Sequence, residues 1–552
     1  MSIVARSAPR WPAWLGYRPQ ASVETVALLA SLFFAGSANG AFWRAVGAAG
    51  ALDGARGLWV GACIGLAVVA INFALLASVL NRWTLKPLLT VLLLLTAAAA
   101  HFMSQYGVYL DTGMIRNVLQ SDGRESGELL SLGLLPPLLA FGVLPALLLW
   151  RVRVVERAWT QALWRRLVAV AAALVLAMLA LLGAFQDISA LMRNHKEMRH
   201  LVTPANYLVS LTRVAFDDSA SKVRGRAPIG TDARVAARPA GSKPRLLVIV
   251  VGETVRAQNW GLNGYARQTT PELARIGPVN FVDVTACGSS TEVSVPCMFS
   301  PFGRRNYDKR RIQGSESLLN VLEYAGIRTL WRDNQTGCKN VCKGLAFESF
   351  EHDSDPAYCT AEGCSDLVML RGLRERLAAQ PGDAVVVLHQ LGNHGPSYFR
   401  RYPAQLRRFV PTCDTNELGR CSREQIVNAY DNAILATDAF LARSIRALAE
   451  DGSRDSALIY VSDHGESLGE NGLYLHGVPY AIAPQTQTRV PMTMWFSPGF
   501  AASRGLDLRC LRREALRPAS HDNLFHSVLG LMQVRTSVYA RELDLFASCA
   551  PA

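Results

Sequence analysis

The sequence predicts a two-part protein: an α-helical membrane domain of five spans, then an α/β domain. Three observations carry that prediction. Long apolar stretches crowd the first third, short apolar runs alternate with helical stretches after residue 245, and ten of the eleven cysteines lie beyond residue 280. With 552 residues there is room for two or three domains, each burying its own core. The cysteines form no CxxC…CxxC framework, so disulfides are favoured over a structural zinc, and the second part is expected in an oxidising compartment. The formal charge of +13 points to an anionic partner, phospholipid or phosphorylated glycolipid. Nucleic acid is disfavoured because Lys and Arg are scattered, with no basic run.

About 20 apolar residues are needed to cross a hydrocarbon core of ~30 Å. Five stretches qualify, at about 23–43, 57–80, 85–104, 129–150 and 167–186. The first is too long for a signal peptide and lacks a cleavage site, so it reads as a retained span. Loop charge then orients the chain. Arg6, Arg10 and Arg18 precede the first span, Arg82 and Lys86 follow the second, and Arg151, Arg153, Arg157, Arg165 and Arg166 follow the fourth. The loop between the third and fourth spans instead carries Asp111, Asp122, Glu125 and Glu128 against Arg116 and Arg124. The positive-inside rule places the N-terminus in the cytoplasm and everything after residue 190 outside, the side the cysteines require. Residues 187–216 mix basic and apolar positions at helical spacing and read as helices along the membrane surface, with an ordinary helical connector as the alternative. Residues 217–244, rich in Ser, Gly and Pro, read as a flexible linker.

Beyond residue 245 the apolar runs Leu246–Val251, Ala384–Leu388, Ala457–Val461 and Met492–Phe496 read as buried strands. Helical stretches fall around 315–326, 364–379 and 424–450. Such alternation predicts a mostly parallel sheet covered on both faces, whose chemistry collects at the C-terminal ends of strands. Glu253 follows the first run, His389 and His394 the second, Asp463 and His464 the third. Asp463 and His464, adjacent after a buried strand, supply one oxygen and one nitrogen ligand at a turn, although an Asp-His-Gly turn also serves as a cap. Glu253 equally suits a helix start. Thr291 lies in CGSSTEVSVPC between Cys287 and Cys297. A hydroxyl becomes a nucleophile when a metal lowers its pKa, and a short disulfide loop would hold it still. Ser289, Ser290 and Thr291 also suit a helix cap. His394 and His476 are glycine-flanked loop histidines, each by itself more often structural than functional.

Taken together, GETVRAQNWGLNGYARQTTPEL, CGSSTEVSVPCMFS, WRDNQTGCKNVC, LHQLGNHGPSY and YVSDHGESLGENGLYLHGVPY resemble the lipid A phosphoethanolamine transferases, a group that includes the transferable polymyxin-resistance enzymes. The likeness runs from the five spans through RNHKEMR to SHDNLFHSVLG. It implies a domain of the alkaline phosphatase and sulfatase type over residues 245–552, behind a membrane domain over 1–186 and a connecting segment over 187–244. It further implies one tightly bound zinc ion on Glu253, Thr291, Asp463 and His464, with Thr291 as the nucleophile that takes phosphoethanolamine from phosphatidylethanolamine. His394 and His476 become ligands of the phosphoryl group or of a second zinc. The family's head-group pattern Asn-x-x-x-Thr-x-x-x-Glu reads here Asn117, Ser121 and Glu125, and a serine and lysine of its soluble domain map to Thr336 and Lys339. Their spacing of four would place Asn117, Ser121 and Glu125 on one helix face. The implied setting is a monomer in the bacterial inner membrane with its catalytic domain in the periplasm and lipid A as acceptor. Another surface glycan, and phosphoglycerol as the group transferred, are the alternatives.

Three rivals fall on the residues. A sulfatase takes its nucleophile from Cys-x-Pro-x-Arg, which neither Cys287 nor Cys297 begins. A polymerase of the lipoteichoic acid type lacks the cysteine-bracketed nucleophile. A non-catalytic receptor would have lost metal ligands, and none is missing. Sequence proximity pairs Cys287–Cys297, Cys338–Cys342, Cys359–Cys364, Cys413–Cys421 and Cys510–Cys549, leaving Cys63 free inside a span.

Overall fold

The structure, a computed structural model, describes residues 18–121, 123–222, 225–238, 241–360, 363–379 and 381–550. It divides into two compact units. One runs to Gln105 and adds Leu132–Val209; the other joins Tyr106–Ser131 to Ser210–Ala552.

Among the described residues, four helices are long and apolar enough to cross a membrane: Gly54–Val79, Leu85–Tyr106, Leu132–Arg151 and Trp159–Gly183. The stretch expected as a span over 23–43 is a bent pair of helices, Val23–Ala38 and Gly40–Ala48, at 56° to each other, which makes a fifth crossing if the pair is one broken span. Ser22 starts it by accepting from the Thr25 N–H at 3.2 Å. A π-helical turn over Phe34–Ala38 then disrupts the regular ladder, and the backbone leaves helical geometry at Asn39. The buried Asn39 amide repairs the break, donating to the carbonyls of Phe34 and Thr203, both at 2.8 Å. A carbonyl freed inside a membrane needs such a partner because no water reaches it. Gly54–Val79 packs against Trp159–Gly183, and small residues are among those buried on each: Ala67, Ala70 and Ala74 on one helix and Ala173, Ala177 and Ala180 on the other. Without a hydrophobic drive between helices in lipid, close backbone approach supplies the contact. After the last long helix come Phe185–Asn194 and Ala205–Lys222, over the stretch expected as interfacial helices.

The second unit is built on an eight-stranded sheet: β1 Arg245–Gly252, β2 Val279–Thr285, β3 Arg328–Asp333, β4 Phe347–Ser349, β5 Ala384–His389, β6 Asp455–Ser462, β7 Arg489–Phe496 and β8 Ala519–Ser520. Its order is β8-β2-β7-β6-β1-β5-β3-β4. The stretch from β6 to β4 is parallel, and β7 runs antiparallel to both neighbours. Every residue of β1 and of β5 is buried, which is why these strands read as continuous apolar runs. β2 alternates in exposure, and β3 carries Arg332 and Asp333 inside the fold, so neither shows that pattern. Arg332 is tolerated there because Glu348 lies at 2.8 Å and its guanidinium stacks on Phe350. The helix Arg423–Glu450, expected over 424–450, begins with a reciprocal Ser422/Gln425 capping box.

Part of the segment read as flexible linker is pinned to this unit. Arg234–Val235 pairs antiparallel with Val534–Arg535, Ala227 bridges to Ser315, and Ala233 is fully buried. Composition reported solvation, while the unpaired edge at Val534 supplied a partner.

All five proximity pairings form disulfides, and Cys63 is free and buried in the helix Gly54–Val79. Cys510–Cys549 spans 39 residues, the longest of these loops. Chain-entropy loss predicts a contribution of about 4 kcal/mol for such a loop. A Cys510→Ala/Cys549→Ala variant should unfold at correspondingly lower denaturant, and an unchanged midpoint would show that this bridge adds nothing.

Candidate metal centre and nucleophile

Parallel pairing of β1 and β6 sets Val251 opposite Val461 and Gly252 opposite Ser462, so Glu253 and Asp463 leave the sheet side by side. The chain then turns sharply. Thr254 follows Glu253 with φ of 55°, a strained conformation for a β-branched residue. It is held there by its N–H to Asp463 Oδ1 at 3.2 Å and by its carbonyl, which accepts from Tyr430 Oη at 2.6 Å. Gly392, with φ of +51°, lies against Glu253; an added Cβ would come within 3.0 Å of its carbonyl oxygen. Neighbouring backbone thus dictates where the Glu253 carboxylate points.

His464 faces the same spot, with its tautomer set locally. Its Nδ1 lies 2.9 Å from the Gly465 carbonyl, which can only accept, so the proton sits on Nδ1 and Nε2 presents a lone pair. That Nε2 lies 3.4 Å from Glu253 Oε1, 3.4 Å from Asp463 Oδ2 and 3.3 Å from Thr291 Oγ1. Thr291 Oγ1 donates to Glu253 Oε2 at 3.1 Å. Asp463 Oδ2, buried, accepts no hydrogen bond among the described residues. Four donors around a zinc at ~2.0–2.1 Å lie at tetrahedral corners about 3.3–3.4 Å apart. The three spacings from His464 Nε2 and the Thr291–Glu253 contact are close to such edges, and Glu253, His464 and His476 also converge closely enough to hold a metal ion, so the residues suit a small cation with nitrogen and oxygen ligands.

Thr291 opens the helix Thr291–Met298, with Ser290 in extended conformation before it. Cys287–Cys297 ties the approach to the far end of this helix. His521 joins that loop to β6: the Cys287 N–H donates to its Nδ1 at 3.1 Å, and its Nε2 lies 3.0 Å from the Ser462 carbonyl. Burial pushes the His521 pKa down to about 4, so the ring is neutral, as one accepting and one donating nitrogen require. The other wall of the site is pinned by Ser289, whose hydroxyl donates to the Val478 carbonyl at 2.6 Å, while the Gly477 N–H donates to the Ser289 carbonyl at 2.7 Å.

The remaining histidines and the Thr336–Lys339 pair surround this cluster. The His476 ring lies tilted beside that of His464, with ring centres 4.4 Å apart, and its Nδ1 lies 3.3 Å from Glu466. His394 is 5.6 Å from His476, ring to ring. Desolvation, reinforced by His476, Arg401 and His464, holds the His394 pKa well below its usual value and keeps the ring neutral. Gln335, unmarked by any sequence signal beyond its place in WRDNQTGCKNVC, links the layers. It donates to Glu253 Oε2 at 3.3 Å and accepts from the Thr336 hydroxyl at 2.6 Å, while Lys339 Nζ donates to the Thr336 carbonyl at 3.0 Å. Deeper, His389 pairs with Asp333 at 2.7 Å. Burial alone would lower the His389 pKa, but the Asp333 carboxylate outweighs it and raises the net value.

Asn117, Ser121 and Glu125 do not share one helix face, contrary to the expectation from their spacing. The helix Thr112–Gln120 stops at Ser121, whose ψ of 136° is extended, and a second helix spans Gly123–Leu129. The cause is local: the Ser121 hydroxyl and N–H both bond the Asn117 carbonyl, at 3.0 and 2.8 Å, and end the ladder. The side chain of Glu125 lies outside the described residues. Asn117 is nonetheless beside the site, because a Cβ on Gly477 would sit 3.9 Å from its Nδ2 and 2.8 Å from Met114 Cε.

The same helix is anchored next to the nucleophile. Arg116 Nε lies 3.7 Å from Glu292 Oε1, and both side chains are buried. Desolvation raises the Glu292 pKa, opposed by Lys309, Lys339 and Arg116. Removing one partner of a buried pair typically costs ~3–5 kcal/mol. Because Glu292 keeps Lys309 and Lys339 nearby, Arg116→Ala should cost about 3 kcal/mol, the low end. A paired Arg116→Met/Glu292→Met variant should recover most of it in chemical denaturation. Equal stability of Arg116→Ala and the parent would show that the pair is not coupled.

Comparison with known proteins shows the family. Residues 245–534 match the Sulfatase family, and residues 68–218 match the family described as Phosphoethanolamine transferase EptA/EptB. Phosphoethanolamine transferase EptA of Escherichia coli (strain K12) is 38% identical over 547 residues, covering 96% of this chain and 98% of that protein. Phosphatidylethanolamine transferase Mcr-1 of Escherichia coli is 40% identical over 462 residues, covering 79% of this chain and 83% of that protein. Among solved structures, the integral membrane lipooligosaccharide phosphoethanolamine transferase A (EptA) of Neisseria meningitidis matches with a TM-score of 0.92 at 38% identity, over 97% of this chain and 100% of that chain. The chain belongs to the phosphoethanolamine transferase family, its helical membrane domain joined to an α/β domain of the sulfatase and alkaline phosphatase type.

Proposed function

We propose that this enzyme moves phosphoethanolamine from phosphatidylethanolamine to a phosphate of lipid A through a covalent phosphoethanolamine–Thr291 intermediate, using one tightly bound zinc ion. The observation that carries this reading is the convergence of Thr291 Oγ1, Glu253 and Asp463 on His464 Nε2, at 3.3, 3.4 and 3.4 Å. A bound zinc lowers the pKa of a hydroxyl it coordinates and neutralises charge developing on phosphoryl oxygens. Thr291 Oγ1, relieved of its proton, attacks the phosphorus of the donor phosphodiester. The bond from phosphorus to the diacylglycerol oxygen breaks, and that oxygen takes up a proton. An oxygen of the acceptor phosphate then attacks the same phosphorus, the Oγ1–P bond breaks, and Thr291 regains its proton. His394 and His476 hydrogen-bond the phosphoryl oxygens, and Thr336 and Lys339 hold the head group with Asn117, Ser121 and Glu125.

The same proposal sets residues 1–186 as five inner-membrane spans with the N-terminus in the cytoplasm, and residues 245–552 as a periplasmic catalytic domain. The enzyme acts as a monomer and takes no nucleic acid. Mass spectrometry of lipid A from cells with and without the protein tests the acceptor. A phosphoethanolamine increment on lipid A supports it; an increment on another surface glycan, with lipid A unmodified, favours that glycan.

Glu125 suits the ethanolamine ammonium. Glu125→Ala should lower transfer from phosphatidylethanolamine by about tenfold, the worth of one ~1.4 kcal/mol contact. Hydrolysis of a small phosphodiester lacking ethanolamine should change less than about twofold, since a uniform effect on both substrates would indicate folding. Equal losses would remove Glu125 from the donor site.

A further inference from the structure

The bent pair Val23–Ala38 and Gly40–Ala48 carries a cation that forms no ion pair among the described residues. That cation, Arg44, lies in Gly40–Ala48, beyond the break at Asn39. Of the unit's carboxylates, Glu24, Glu156, Asp187 and Glu197 are engaged by Arg157, Arg82, Arg56 and His195, and Asp53, at the start of Gly54–Val79, makes no ion pair with Arg44 among the described residues. Ionisable side chains within spans are costly, and those retained mark ligand paths or paired sites. Discontinuous spans are where such sites recur.

Arg44 lines a cavity of about 220 Å³. His101 and Ser104, in the final turns of Leu85–Tyr106, add polar groups, while Phe33, Pro137 and Phe141 supply an apolar wall. Under the topology proposed above, all of these lie toward the outward-facing ends of their helices. The volume is below the ~300 Å³ of the smallest drug-sized pockets, so it suits a head group rather than a whole lipid. A guanidinium prefers a planar, bidentate partner such as a phosphodiester.

We propose that this cavity is a glycerophospholipid head-group site, with Arg44 as counter-ion to the phosphodiester. His101 and Ser104 hydrogen-bond around it, and Phe33, Pro137 and Phe141 pack on the glycerol and first acyl carbons. The site shares no residue with the Thr291 cluster and does not depend on the transfer reaction.

The test uses the full-length protein in detergent, with Thr291→Ala to prevent turnover and Ser104→Cys as reporter. Five disulfides occupy ten cysteines and Cys63 is buried, so the introduced thiol is the one open to a maleimide. Phosphatidylethanolamine should slow labelling about tenfold, the effect of one ~1.4 kcal/mol interaction, whereas diacylglycerol and inorganic phosphate should each change it less than about twofold. Arg44→Gln should abolish the protection and Arg44→Lys restore at least half of it. Native mass spectra of protein retaining Ser104 give a second reading, in which Arg44→Gln should hold less phospholipid than its parent. Equal protection by diacylglycerol would make the cavity merely apolar, and protection by inorganic phosphate alone would make it a free-anion site. Either result, or unchanged protection in Arg44→Gln, overturns the proposal.

Discussion

Thr291→Ala should abolish phosphoethanolamine transfer, by about 10⁴-fold or more, the scale on which single nucleophile deletions act. The substitution removes the hydroxyl that donates to Glu253 Oε2 and lies 3.3 Å from His464 Nε2, while leaving every backbone bond of its helix in place. Stability should therefore hardly move: the apparent melting temperature should stay within a few degrees of the parent's, as for mutations that create no cavity or unpaired charge. Thr291→Ser keeps the oxygen and should retain measurable transfer, its loss reflecting the freer rotamers of serine. Incubation with phosphatidylethanolamine in the absence of acceptor should add the mass of one phosphoethanolamine to the parent and nothing to Thr291→Ala. A variant that still modifies lipid A at a comparable rate would move the nucleophile elsewhere.

Removing the metal should have the second largest effect, and on stability as well as turnover. Glu253, Asp463 and His464 are all fully buried, so without a cation two carboxylates share a water-poor cluster. A cation bound to the folded state alone stabilises it by about 2.7 kcal/mol at a hundred times its dissociation constant. Chelation should lower the melting temperature and stop transfer, and added zinc should restore both. Asp463→Ala removes the oxygen that accepts no hydrogen bond and should weaken metal binding by more than about 100-fold, since even indirect partners of a ligand are worth ~10–100-fold. Metal content measured on the purified variant reads this independently of activity. Full stability and transfer after exhaustive chelation would exclude a metal role for the cluster.

The parts legible in the sequence share a physical property: they are specified by neighbours along the chain. Four long spans are legible because about 20 consecutive apolar residues have no other use at that length. β1, β5, β6 and β7 are legible because buried strands cannot afford polar interruptions, and the five disulfides because their partners are close in sequence. Glu253, Thr291, Asp463 and His464 stand out because each sits beside a strand end, a glycine turn or a cysteine bracket.

What remained hidden depends on partners far away in the chain. β3 disguises itself because Arg332 is neutralised by Glu348 and Phe350, neither of which its own pattern announces. Gln335 and His521 lie within WRDNQTGCKNVC and SHDNLFHSVLG, but those strings do not tell what either touches; Gln335 meets Glu253, and His521 bridges Cys287 and Ser462, only in the folded chain. The bend at Asn39 needs Thr203 to complete its hydrogen bonds. The spacing of Asn117, Ser121 and Glu125 suggested a continuous helix that the Ser121 turn interrupts. The sequence by itself determined the composition of the membrane and α/β parts and the residue types of the candidate site. Only the tertiary structure decided that Tyr106–Ser131, flanked by membrane helices, belongs with the catalytic unit, because the buried Arg116–Glu292 and Arg401–Glu128 pairs join residues more than a hundred positions apart. Such pairs form only where folding removes both charges from water at the same place, a condition that no local pattern encodes.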